Sequence, residues 1–402
     1  MPRPLTLLFS VPTGYNAREL LTPLQEHLER DEAVGSVICL TPAAAAHQEI
    51  FPSFTKKFRF IANPARQTLH HKLLQQLAPD IVVTPTAGLD HHDTPILRAS
   101  QQLNIPSLTF ISSWDNVYKM ERFQKYGKAY ELADHLVVWN QMMHDHLRKI
   151  FPHLKSEAIS IIGAPRLDFF THTDRLPSKK TLLQHLGLPY DRGKIIHLAT
   201  TELYPMGYIV QTIREAETSG KIPHQLHIYA SVHPGGDLSK HRAYARQYGV
   251  VLGYSFGRRE SSSHPNFLYN PTREEIYLLV ALFKHADVLV NHSSTVAIES
   301  LFANVPVINV KYGQPLDWWR WYRSMVYRDF QQHYADITAG QATTIVHSKR
   351  ELIQALNKDL ADPGHLAAAR QQTLKRIITT IDGTAGRQLL DKIKQIAVQR
   401  KT

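Results

Sequence analysis

The sequence predicts an α/β protein of two doubly wound parallel-sheet domains. Three observations predict it. Short apolar, β-branched runs recur without polar alternation, as strands covered on both faces do. Amphipathic segments of helical period separate these runs, and such alternation marks a parallel sheet. With 402 residues, 43% of them hydrophobic, the chain can build two cores at ~150 residues per domain.

In the first half, strands are expected at 5–10, 36–40, 57–61, 80–84, 107–111, 135–139 and 158–162, each an apolar run bounded by polar or turn residues. Helical periodicity fills 17–30, 65–77, 94–103, 119–132 and 141–150. The pattern breaks at Gly163-Ala164-Pro165-Arg166 and over the polar stretch 171–180, where Pro165 and Pro177 discourage helix. The expected domains are therefore 1–172 and 181–379. Strands resume at 194–199, 225–230, 250–252, 266–269, 286–290, 305–310 and 343–346, with helices at 272–285, 295–303, 349–360, 364–379 and 386–401. Ligands of such folds bind beyond the carboxyl ends of the strands, here expected in a cleft between the two sheets.

Composition removes several classes. Only 19 Gly and 23 Pro exclude collagen-like and low-complexity chains. The single cysteine, Cys39, makes no intramolecular disulfide or cysteine-based zinc site and fits a reducing compartment. No apolar run nears the ~18 residues of a spanning helix, and the opening MPRPLTLLFS reads as a buried strand, so a cytoplasmic protein is expected. Lys plus Arg outnumber Asp plus Glu by 46 to 35, which favours anionic partners. The basic residues are dispersed, without an RNP-like motif or zinc finger, and nucleic acid is set aside. G-x-G-x-x-G, the P-loop and H-E-x-x-H are all absent. The pairs His70-His71 and His91-His92 read as solvated surface, and no metal or other cofactor is expected. Gly253–Gly257 fits G-x-S-x-G around Ser255, but the serine-rich RRESSSHPN comes next, where a nucleophile elbow needs a helix.

The strongest local signal is ADVLVNHSSTVAIESLFANVPVINV, 286–310. A buried strand ends in Asn291-His292-Ser293-Ser294-Thr295 and a short helix comes after it, so Ser293, Ser294 and Thr295 offer hydroxyls and helix-start N–H groups to an anion. Simple N-capping by Ser294 or Thr295 is the competing reading. Glu299, four residues after Thr295, suits the two hydroxyls of a ribose. His233, in Ser231-Val232-His233-Pro234-Gly235-Gly236 after the strand 225–230, is placed to donate to a phosphate. Thr200, Thr201 and Glu202 add polar groups after the strand 194–199. In the first half, Ser112-Ser113-Trp114-Asp115-Asn116 succeeds the strand 107–111, and Asp115 is placed for general-base work, with helix capping as the alternative. After the first strand, Gly14 gives a turn, Asn16 caps and Arg18 faces the cleft. Asp317-Trp318-Trp319-Arg320-Trp321-Tyr322-Arg323 reads either as a core-packing helix with a basic rim or as a patch docking on an anionic membrane. On a helix Trp318, Trp321 and Tyr322 share one face, and Trp319 and Arg323 another.

Together these pieces resemble the GT-B glycosyltransferases, the class of two Rossmann-like domains that includes nucleotide-sugar 2-epimerases and teichoic-acid-type glycerophosphotransferases. The resemblance rests on Gly14–Arg18, Ser113–Asn116, Gly163–Asp168, His233-Pro234, Ser293–Thr295 with Glu299, and Asp382-Gly383-Thr384-Ala385. It implies a nucleotide-activated sugar donor on the C-terminal domain, touching His233, Ser293, Ser294, Thr295 and Glu299, and the position of Thr200 and Thr201 after the strand 194–199 adds them to the same site. A saccharide or lipid-linked acceptor would lie on the N-terminal one, near Gly14, Asn16, Arg18, Trp114 and Asn116. It further implies metal-independent transfer in bacterial surface polysaccharide or glycolipid synthesis. With Asp115 as base and no covalent intermediate, inversion is expected, and docking of the 317–323 patch would put the protein at the inner face of the plasma membrane. Residues 380–402 would cross back onto the first domain. The rival within this class is a nucleotide-sugar 2-epimerase or hydrolase. A catalytically silent nucleotide-sugar-binding protein is the rival outside it.

Overall fold

In the computed structural model, residues 3–64, 67–86, 89, 93–201, 203–254, 256–259 and 261–399 are described. His91, His92, Glu202 and Ser255 lie outside them, as do Ala65 and Arg66 at the start of the expected helix 65–77 and Lys401 at the end of the last. The chain forms two compact units. Unit 1 is Met1–Thr171, Arg259–Thr272 and Ile377–Thr402; unit 2 is His172–Arg258 and Arg273–Arg376.

Unit 1 holds seven parallel strands: β1 (Leu5–Ser10), β2 (Val34–Thr41), β3 (Phe58–Ala62), β4 (Ile81–Thr84), β5 (Ser107–Phe110), β6 (His135–Val138) and β7 (Ile159–Ile161). Their order is β3-β2-β1-β4-β5-β6-β7, so the winding reverses between β1 and β4. Leu7, Leu8, Phe9, Ile81, Val82 and Val83 are all shut from solvent, as residues on both faces of a central parallel strand must be. The helix expected at 119–132 forms earlier and shorter, at Asn116–Lys125. Residues 266–269, expected as a strand of the second domain, instead sit at and just after a 3₁₀ turn, Pro265–Phe267, and belong to unit 1. Phe267 is buried against Phe51, and Gly14 approaches the next residues so closely that a Cβ would lie 1.8 Å from the Tyr269 carbonyl oxygen.

The terminal helix Ala385–Gln399 is anchored by a carboxylate 217 residues upstream. Asp168, buried in the 3₁₀ segment Pro165–Thr171, accepts from Ala385 N–H at 3.3 Å and Gly386 N–H at 2.7 Å, at the positive end of that helix. Burial nonetheless pushes the Asp168 carboxyl up from 3.8 to about 7, against the two N–H donors and helped by Asp382. The folded chain thus retains a proton that the unfolded chain releases near 3.8. Between roughly pH 4 and 7 the native state binds more protons, and this group's contribution to stability falls as pH rises. Urea midpoints measured from about pH 4 to 8 are expected to show that decline in the parent and a flatter profile in Asp168→Asn.

Unit 2 holds six parallel strands: β8 (Lys194–Ala199), β9 (Leu226–Val232), β10 (Val251–Tyr254), β11 (Val288–Asn291), β12 (Val307–Val310) and β13 (Thr344–Val346). The order β10-β9-β8-β11-β12-β13 reverses between β8 and β11, so both sheets are doubly wound α/β, as the sequence predicts.

Candidate functional site

In unit 2 the predicted donor residues collect around the switch point. Thr200 and Thr201 come after β8, His233 after β9 on one side, and Ser293–Thr295 after β11 on the other; β9, β8 and β11 are adjacent. Thr200 is buried, its N–H donating to the Ser231 carbonyl at 3.0 Å, and its hydroxyl has no partner among the described residues. The Thr201 hydroxyl accepts from Leu203 N–H at 3.1 Å. His233 is exposed, and its Nδ1 accepts from Gly235 N–H at 3.1 Å. A ring nitrogen that accepts carries no proton, so the neutral imidazole presents N–H at Nε2, the tautomer a phosphate oxygen requires.

Ser293, Ser294 and Thr295 are half-buried. Thr295 takes the N-cap position of the helix Val296–Phe302 in helical conformation without a side-chain capping bond, so N-capping does not describe its hydroxyl. Ser293 Oγ reaches the Val326 carbonyl at 3.5 Å, and Ser294 N–H donates to Asn291 Oδ1 at 3.4 Å. Glu299 is buried in that helix, 3% exposed.

Sequence reasoning misses what holds this loop. Asn309, fully buried on β12 and opposite Asn291 in register, sets its Nδ2 at 2.9 Å from Asn291 Oδ1, 3.0 Å from the His292 carbonyl and 2.7 Å from the Tyr334 hydroxyl. His292 donates from Nδ1 to the Val310 carbonyl at 2.8 Å and sits among Tyr204, Tyr208 and Trp321. Burial pushes His292 down to about 4, partly offset by the Val310 and Pro205 carbonyls, so the ring is neutral near pH 7. An asparagine inside the apolar run VPVINV is the available signal, since a buried amide needs partners.

In unit 1, Asp115 starts the helix Asn116–Lys125 in helical conformation and makes no side-chain cap. It is 7% exposed; Oδ1 accepts from the Ser113 hydroxyl and Oδ2 pairs with Lys119 Nζ at 2.7 Å. Asn116 is half-buried and accepts from Lys119 Nζ at 3.5 Å. Trp114, expected at the acceptor cleft, is instead 1% exposed and packs edge-on to Tyr118. An indole beside a strand end gains more from burial than from solvent, and it serves the core.

The loop after β1 lies at the switch point of this sheet. Thr13 rather than Asn16 caps the short helix Gly14–Asn16, accepting from Asn16 N–H at 3.2 Å, while its hydroxyl donates to Asn16 Oδ1 at 2.7 Å. Arg18 falls in a π-helical turn, Ala17–Leu21, and pairs with Glu19 at 3.0 Å, whose other oxygen meets Arg166 Nε at 2.8 Å. The structure therefore commits Arg18 to an ion network with Glu19 and Arg166, the latter over the Trp139 ring at 5.4 Å. Among the described residues no group of three or more His, Cys, Asp or Glu is arranged to hold a metal, and no helix is long and apolar enough to cross a membrane.

No curated protein matches by sequence. Among solved structures, the S. aureus MnaA–UDP complex is similar over 97% of this chain and 96% of its own, at 16% identity and TM-score 0.60. The Neisseria meningitidis UDP-GlcNAc 2-epimerase bound to UDP-GlcNAc is similar over 97% and 100%, at 12% and 0.63. The wall teichoic acid polymerase TagF is similar over 99% and 90%, at 14% and 0.59. These likenesses establish the two-domain GT-B fold. The family model for CDP-glycerol:poly(glycerophosphate) glycerophosphotransferase matches residues 111–395, more than two thirds of the chain. The chain belongs to that family, and is a transferase acting on a nucleotide-linked substrate.

Proposed function

We propose that the chain transfers a sugar from a nucleoside-diphosphate donor to a hydroxyl of a surface-polysaccharide or glycolipid acceptor, without a metal and with inversion. The observation that carries this is the cluster at the unit 2 switch point, where loops after three adjacent strands bring together Thr200, Thr201, His233 and Ser293–Thr295. Hydroxyls, helix-start N–H groups and the Nε2–H of His233 would take up the charge that develops on the departing phosphate. Glu299 would meet the ribose hydroxyls. Asp115, from unit 1, would take the acceptor's proton as its oxygen attacks the anomeric carbon and the bond to the nucleoside diphosphate breaks. Gly14, Asn16 and Asn116 would line the acceptor.

The family match favours a second reading, transfer of a glycerophosphoryl group, in which the acceptor oxygen attacks phosphorus. The two separate by what is released. Incubated with UDP-hexoses or CDP-glycerol and a hydroxyl acceptor, a glycosyltransferase liberates nucleoside diphosphate, whereas glycerophosphoryl transfer from CDP-glycerol liberates CMP. Conversion of a UDP-hexose to its C2 epimer without acceptor would overturn both.

We further propose peripheral contact with an anionic membrane, which would present a lipid-linked acceptor at a cytoplasmic face. Leu316 is 98% exposed, Trp318 69%, Trp319 53% and Tyr322 57%, beside the exposed Arg320 and Arg323. Trp321, grouped with Trp318 and Tyr322 by helical spacing, is buried against Tyr204 and anchors the patch. Apolar rings rimmed by guanidinium groups suit an anionic interface. Trp319→Ala with Arg323→Ala is expected to abolish co-sedimentation with phosphatidylglycerol vesicles. Unchanged co-sedimentation removes this contact.

A further inference from the structure

We infer that His292 is a positioning residue for the donor. When the diphosphate binds, Nε2 of His292 takes up a proton from solvent and donates it to the Pro205 carbonyl, tying the loop after β8 to the loop after β11. The inference rests on the donor site proposed above and adds to it a residue outside the set that would touch the diphosphate.

The ring's place is fixed by its own contacts. His292 is the first residue after β11 and leads directly into Ser293–Thr295, and its carbonyl accepts from Asn309 Nδ2 at 3.0 Å. The residue is 1% exposed. Tyr204 lies edge-on to the ring at 5.8 Å, Tyr208 stacks on it at 6.2 Å and Trp321 lies 5.4 Å away, centroid to centroid. Two carbonyls favour a proton on the ring, those of Val310 and Pro205. Val310 receives Nδ1–H at 2.8 Å, whereas Nε2 is shut from solvent and has no hydrogen-bond partner among the described residues. That leaves the Pro205 carbonyl as the acceptor at hand for a proton on Nε2. Pro205 belongs to the loop after β8, which carries Thr200 and Thr201.

A neutral imidazole has one N–H and serves one carbonyl, while an imidazolium serves two. Without ligand, burial outweighs both carbonyls and holds the ring at about 4. Tyr204 and Tyr208, the titratable groups packed on it, are themselves pushed up by burial and stay neutral. The charged residues on the other packing elements are Lys311 beyond Val310, and Asp317, Arg320 and Arg323 around Trp321; none of them acts on the ring. What the ring lacks is a negative charge nearby, and a diphosphate on Ser293–Thr295 supplies two. An opposite charge within about 4–6 Å moves a pKa by about 1–3, which would carry this ring from about 4 to roughly 5–7.

Isothermal titration of the full chain with UDP-glucose and CDP-glycerol, in buffers of differing ionisation enthalpy, reads the proton directly. Both probes are diphosphate diesters and keep their charge across this range, unlike a phosphate monoester, whose second proton leaves near about pH 6. At about pH 5.5 the parent is expected to take up about a quarter of a proton or more per donor bound. Its affinity is expected to fall as pH rises, because the complex holds more protons than its separated parts. His292→Gln is expected to lose the uptake and bind several-fold more weakly, while His233→Gln keeps the uptake. Smaller uptake by a parent that binds donor overturns the inference for His292 alone, and this measurement decides even where His292→Gln fails to fold. Uptake that survives His292→Gln, or that vanishes in His233→Gln, overturns it as well. A parent that binds neither probe removes the donor site itself, and His292 with it.

Discussion

Asp115→Asn is expected to lower kcat by about 10²- to 10⁴-fold while nucleotide affinity stays at the parent value. The substitution keeps shape and one acceptor oxygen but removes the basic site. Asp115 lies in unit 1, apart in sequence from every donor-binding residue proposed in unit 2, so its loss belongs in turnover and not in donor binding. Its surroundings suit the role. Ser113 and Lys119 each hold one carboxylate oxygen, fixing the plane of the group at the carboxyl end of β5. The Lys119 amine is 44% exposed, and an ion pair with so open a partner is cheap to break. Lys119→Met is therefore expected to cost far less turnover than Asp115→Asn, through a less well-oriented base. Equal loss in both variants would mark the pair as structural, and near-parental turnover in Asp115→Asn would end the base assignment. Quenched-flow turnover with donor dissociation constants measured alongside separates these outcomes.

The strands are readable because their chemistry is local. Ile81-Val82-Val83 and Val288-Leu289-Val290 are continuous apolar runs, and a run buried on both faces has few other homes. The switch-point loops are readable for a related reason, since hydroxyls, glycine and histidine directly after such runs fall at the ligand-binding end of the sheet. What stays hidden depends on contacts distant in sequence. Phe267-Leu268-Tyr269 resembles a strand, yet it makes a turn whose Phe267 packs on Phe51 and whose Tyr269 carbonyl faces Gly14, more than 200 residues upstream. Trp114 is placed at the cleft because it sits within Ser113–Asn116, a segment that resembles the family, whereas the ring goes with its own apolar area into the core. Arg18 looks available to a ligand because the sequence does not show Glu19 and Arg166 meeting it in one network. Asn309 passes as part of an apolar strand, although its amide organises the loop proposed to hold the donor.

That amide carries the second large effect. Asn309→Ala is expected to destabilise the chain by about 3 kcal/mol or more, because it strips partners from the Asn291 side chain, the His292 carbonyl and the Tyr334 hydroxyl in a site without solvent. For a unit of this size that is a fall in melting temperature of roughly 6–12 °C. The functional signature should differ from that of Asp115. Asn291 and His292 lead directly into Ser293–Thr295, and Asn291 Oδ1 also receives Ser294 N–H, so freeing Asn291 loosens the hydroxyls that would meet the phosphates. Donor KM is expected to rise several-fold at temperatures where the variant remains folded, with kcat changed less. Asn309→Asp separates packing from hydrogen bonding. It matches asparagine in volume but replaces both N–H donors with an acceptor facing Asn291 Oδ1 and the His292 carbonyl, and it should be no better than alanine. Melting within a degree or two of the parent for both variants would show that the loop is held by the aromatic packing around His292 alone. Parental KM with lowered stability would show that the network supports the fold without shaping the donor site.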